Sequence, residues 1–113
     1  MIRRSYVPVK RENMRGGDGT VTINNWVDEN EKCPNLRLAA NLVLPKGASI
    51  GVHGHAHETE IFHVLSGEAE YLDNGKPETV GPGAVLVCAD GEEHGIKNIG
   101  NGDLVLNAVI IKA

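Results

Sequence analysis

The sequence predicts an all-β fold, a sandwich or closed barrel, and three observations predict it. Short runs rich in Val, Ile, Leu and Thr recur along the 113 residues. Gly, Asn, Asp and Pro interrupt them at short intervals. No amphipathic repeat of helical length competes with them.

Strands are expected near Thr20–Val27, Leu36–Leu44, Ser49–His53, Glu60–Leu65, Glu68–Leu72, Glu78–Val80, Ala84–Cys88, His94–Asn98 and Leu104–Ile111. Between the first two, residues 28–35 hold at most one helical turn, which Pro34 ends. Asn74-Gly75 and Asn101-Gly102 tolerate positive φ and suit tight hairpin turns. Pro45-Lys46-Gly47, Ser66-Gly67 and Pro82-Gly83 break the remaining runs. Neither a linker nor an internal repeat divides the chain, so residues 1–113 read as one domain. Residues 1–27 form an N-terminal strand segment longer than a minimal barrel needs, suited to adding a strand to a partner's sheet edge.

Composition excludes several classes. Hydrophobic residues make up 41% and charged residues 23%, as in ordinary globular proteins. The net charge of −4 argues against a nucleic-acid surface. The one basic patch, Arg3, Arg4, Lys10 and Arg11, reads as a solvated tail. No apolar run is long enough to serve as a signal-peptide core or to span a bilayer, so no membrane partner is expected. Two cysteines, Cys33 and Cys88, make no disulfide framework, and the cytoplasm is the expected compartment. Cys88 lies in an apolar strand and reads as an inert buried thiol.

The informative stretch is Gly47–Gly67. Alternate residues of a strand share a face, so His53 and His55 point the same way about 6.6 Å apart, close enough to straddle one metal ion. On a straight strand His57 would lie roughly 13 Å from His53, out of reach of that ion. A turn near Ala56–Thr59 returns Glu60 on the next strand, with Phe62 and Val64 on its face and His63 opposite. His94 follows a second turn and shares a face with Ile96 and Asn98. Imidazoles with one carboxylate suit Mn, Fe, Co, Ni, Cu or Zn, whereas Ca and Mg prefer oxygen alone. Imidazoles bind metal only when neutral, so affinity is expected to fall below about pH 6.5.

These residues resemble the two motifs of the cupins. Gly47, His53, His55, Glu60 and Gly67 stand at the spacing of the first motif, and Gly83, Gly91, His94 and Asn98 at that of the second. Ala89 stands where the family usually has Pro, a position that shapes a turn. The motifs span residues 47–98. The resemblance implies a double-stranded β-helix, or jelly-roll barrel. It implies that His53, His55, Glu60 and His94 hold one divalent transition metal (Mn, Fe, Ni, Cu, Co or Zn) in the lumen, and that the chain forms a homodimer.

Around that centre, His57, Glu58, Glu92 and Glu93 are the candidate acid/base groups. Arg37, Asn41 and Phe62 are candidate contacts to a small-molecule ligand; a guanidinium forks onto carboxylates. Three readings remain open. The first is a metal-dependent enzyme acting on a small carboxylate or sugar acid: an oxalate-decarboxylase-like lyase, an isomerase or a dioxygenase. The second is a non-catalytic module that binds or senses such a ligand, and the third a barrel without metal.

Overall fold

A computed structural model describes all residues, 1–113. It contains ten strands: β1 (Val7–Glu12), β2 (Thr20–Asn25), β3 (Leu36–Leu44), β4 (Ser49–Gly54), β5 (Glu58–Ser66), β6 (Ala69–Asp73), β7 (Lys76–Val80), β8 (Val85–Cys88), β9 (Glu93–Asn98) and β10 (Leu104–Lys112). The only helical element is one 3₁₀ turn, Met14–Gly16. No helix is long and apolar enough to cross a membrane.

Two antiparallel sheets pack face to face as a double-stranded β-helix. One has the order β1-β2-β3-β10-β5-β8, the other β4-β9-β6-β7. Alternation along each strand sends one set of side chains inward. Val21, Leu42, Phe62, Ile96 and Leu106 meet there, each nearly or fully inaccessible to water.

The nine expected strands are present, most with ends moved by a residue or two. β1 is an addition. Its sequence, VPVKRE, carries three charged residues and a proline, so alternation is hidden on what proves to be a sheet edge, the place where proline and charge are tolerated. The N-terminal basic residues are therefore no solvated tail: Lys10 and Arg11 are strand residues, and Arg3 pairs with Glu31. Segment 28–35 forms turns without a helix.

One of the two expected Asn-Gly turns forms. Asn74 and Gly75 both take positive φ, 50° and 84°, between the paired strands β6 and β7. Neither Asn101 nor Gly102 does. β9 and β10 lie in different sheets, so their connection is not a hairpin, and the Asn98 side chain shapes it instead.

Two irregularities in the strands re-aim side chains toward the lumen. Between Ile50 and His53, β4 advances three residues while its partner β9 advances two, from Ile96 to His94. This bulge at Gly51–Val52 changes the strand's phase. Ile50 is buried in the core, Val52 is exposed, and His53 faces inward again. The second irregularity is at the start of β3. Leu38 pairs with Ile110 and Leu36 with Ile111, so Arg37 is the extra residue.

Candidate metal centre

The β4 bulge aims His53 and His55 into the lumen. Gly51 is required for it: a Cβ there would sit 2.1 Å from the backbone oxygen of Arg15. A turn through His57, held at φ 62°, reverses the chain and places Glu60 on β5. His94 enters from β9 directly opposite His53.

The four donor atoms lie within 4.8 Å of one another. His55 Nε2 is 3.0 Å from Glu60 Oε1 and 3.1 Å from His94 Nε2, and His94 Nε2 is 2.9 Å from the same oxygen. His53 Nε2 is 3.9 Å from it. Donors bound at right angles to one ion at about 2.1 Å would be about 3.0 Å apart, so these edges fit a shared ion.

The outer nitrogens decide which way the lone pairs point. His53 Nδ1 donates to the Gly51 carbonyl at 2.7 Å, since a carbonyl can only accept. His55 Nδ1 donates to Glu58 Oε2 at 2.6 Å. A ring with its proton on Nδ1 alone has a bare Nε2 lone pair, here turned toward a buried carboxylate. His94 Nδ1 bonds Tyr71 Oη at 2.8 Å, and its ring stacks on Phe62 with centroids 5.0 Å apart. Acceptors gathered without protons between them repel one another, and a cation relieves that. The residues fit a divalent transition metal; His₃Glu suits such an ion better than Ca or Mg.

Where no ion is bound, a proton on an imidazole can take its place beside the carboxylate: burial raises the pKa of Glu60, but hydrogen bonds from His53 and His94 and the charges of His94 and His55 outweigh it and hold the carboxyl at about 2. Glu58 is lowered as well: burial opposes ionisation, and bonds from Arg37 and His55 prevail. Burial raises the Tyr71 phenol above its ordinary value. It also pushes the Cys88 thiol to about 11, helped by Glu92 and Glu60, so Cys88 is a buried un-ionised thiol.

A cavity of about 700 Å³ opens on the centre. Phe62 and Arg37 line it. The β3 bulge accounts for Arg37, whose Nη1 donates to both oxygens of Glu58. Asn41 is not brought there. It lies on the outer face of the larger sheet, donating to Asn107 Oδ1 at 3.1 Å and accepting from Asn24 at 3.4 Å.

Of the acid/base candidates, only Glu58 is buried against the centre. His57 has its backbone amide bonded to Asp90 at the surface. Glu92 is half-buried and ties the 89–92 turn to Asn74, accepting from the Ala89 amide and the Asn74 side chain. Glu93 is exposed beside it, its amide bonded to Asn74. Tyr71, which contacts His94, is absent from the candidates that the sequence suggests, although its alternation with Ala69 on an expected strand is a usable sign.

The family model for the Cupin domain matches residues 41–111. An oxalate-binding protein of Thermotoga maritima is 40% identical over 112 residues, 98% of this chain and 93% of the relative. A crystal structure from the same organism, described as a predicted oxalate decarboxylase, is 40% identical, with each chain covered completely and a TM-score of 0.94. A Cupin 2 conserved barrel domain protein from Salinispora arenicola is 25% identical, covering 82% of this chain and 76% of that one, with a TM-score of 0.70.

Proposed function

The chain belongs to the cupin family, and on that premise we propose that it binds one divalent transition metal per chain through His53, His55, Glu60 and His94 and, at that metal, a small carboxylate such as oxalate. The observation that carries this reading is the convergence of imidazole Nε2 atoms on one buried carboxylate oxygen. The oxalate-binding relative supports the choice of ligand.

The chain's own residues prepare the site. Gly51 and Glu58 lock His53 and His55 in the tautomer that presents Nε2 inward. Arg37 holds Glu58 in place. Tyr71 and Phe62 fix the His94 ring and close the floor of the lumen. When bound, the metal supplies a Lewis acid for a carboxylate oxygen.

Binding rather than turnover is the reading the geometry supports best. Glu58 and Tyr71 are committed to orienting ligands, His57 and Glu93 are exposed, and Glu92 is bonded to Ala89 and Asn74. The relative described as a predicted oxalate decarboxylase favours a second reading, in which the same centre acts on its acid. Release of carbon dioxide from oxalate would decide for that one.

The primary test is elemental analysis of untagged protein beside the His53→Ala, His94→Ala double variant. About one metal per chain is expected in the wild type, with none in the variant and no oxalate binding by calorimetry. Equal metal content in both would end the proposal.

We also propose a homodimer. Leu65, Val85, Val87 and Ile111 are exposed on neighbouring strands of the larger sheet's outer face, apolar surface that a second copy would cover. A monomer by light scattering would exclude it.

A further inference from the structure

The cavity on the metal centre is larger than a two-carbon acid needs. At about 700 Å³ it lies within the range of pockets that enclose whole small-molecule ligands. Part of its wall is the N-terminal hairpin. Arg11 on β1 pairs with Val21 on β2, a core residue, so Arg11 stands on the inner face of the sheet. Arg15 lies in the turn between those strands at φ 55°, a backbone region that a non-glycine residue enters at a cost and that is common where ligands are clamped. Its carbonyl packs against Gly51, two positions from His53.

The charges of this wall are unevenly matched. Its basic groups are Arg11, Arg15, Lys32 and Arg37. Lys32 is paired with Glu29, and Arg37 with Glu58. The guanidiniums of Arg11 and Arg15 make neither an ion pair nor a hydrogen bond, and away from the centre the only acidic group in the wall left similarly free is Glu12.

We propose that Arg11 and Arg15 form an anion subsite, and that the protein selects a dicarboxylate longer than oxalate, with one carboxylate at the metal centre and the other on the N-terminal hairpin. This rests on the reading that an acid binds at the centre. A guanidinium fork matches a carboxylate in shape as well as charge. Leu38, Leu42, Ile50 and Phe62 supply apolar wall for the methylenes between the two ends.

The test is calorimetric titration of Mn²⁺-reconstituted protein with oxalate, succinate, glutarate and adipate. Wild type is compared with the Arg11→Ala, Arg15→Ala double variant, after circular dichroism and metal content show both folded and loaded. Both arginines are exposed, so folding should survive. The wild type is expected to prefer a longer diacid. The variant should lose roughly ten- to a hundred-fold in affinity for it and less than about threefold for oxalate. An Arg11→Lys, Arg15→Lys variant should recover part of the loss, since the charge remains without the fork. Oxalate binding tightest, or equal losses for every acid, would overturn the subsite and leave the metal centre standing. Protein that takes up no metal and binds no acid would overturn the subsite and the reading of the centre together.

Discussion

The two ends of the barrel are built from the same strands and solve opposite problems. At one end Leu44 faces Leu104 across β3 and β10, with Val64 and Ala69 beside them, all inaccessible to water. A polar side chain buried there, Asn98, is satisfied. Its amide donates to Leu44 and Gly102 carbonyls at 2.9 and 2.8 Å, and its oxygen accepts from the Gly100 amide. At the other end β4, β5 and β9 carry His53, Glu60 and His94, and the lumen widens into the cavity. Polar groups there are bonded on their outer sides by Gly51, Glu58 and Tyr71, and their inner atoms crowd together around Glu60. The closed end is complete by itself, whereas the open end gathers four donor side chains beside a cavity.

Substitutions should separate these roles. The largest effect is expected from Leu44→Ala, which leaves a cavity in the closed end and should cost about 2–5 kcal/mol in denaturant unfolding. Metal per folded chain should be unchanged; loss of metal in the folded fraction would mean that the ends are not independent. Glu58→Gln should do the reverse. It keeps the shape but takes away the charge that holds the His55 proton, and should weaken metal affinity roughly ten- to a hundred-fold by competition with a chelator. Unaltered affinity would show that Glu58 serves only Arg37. Asn98→Ala should cost about 1–3 kcal/mol by leaving the buried Leu44 carbonyl unpaired, again without loss of metal.

Mild acid should have the smallest effect on the fold. Glu58 and Glu60 have pKa values below the ordinary 4.5 in the folded chain, Glu60 at about 2. Their contribution to stability is complete above pH 4.5 and is lost as pH falls toward those folded values. Protons compete with metal for the imidazoles well before that. Metal should therefore leave over a pH range in which the circular dichroism spectrum stays constant. Simultaneous loss of metal and structure near neutrality would show that the open end holds the closed end together.

Much of this contrast was legible in the sequence. Alternation placed His53 with His55, Glu60 with Phe62 and Val64, and His94 with Ile96 and Asn98, because inward and outward positions in a strand are set by counting. What counting could not supply was register. The bulge that places Arg37 beside Glu58 exists only relative to β10, and the one before His53 only relative to β9. Glu58 falls in the expected turn near Ala56–Thr59, and its burial depends on that turn folding back onto His55 and on Arg37 from another strand. β1 escaped because a charged, proline-bearing edge strand carries no hydrophobic pattern, and Asn101-Gly102 misled because a hairpin signal is blind to which sheet the next strand joins.

The bulge at Gly51–Val52 also bears on design. With it, one short strand serves two interiors in succession, presenting Ile50 to the oily half of the barrel and His53 to the wet half. Grafting the His-Gly-His segment onto a regular barrel strand in the register of Ile50 would turn both histidines outward. The portable unit of this centre is therefore the four side chains together with one supernumerary residue and the glycine that makes room for it.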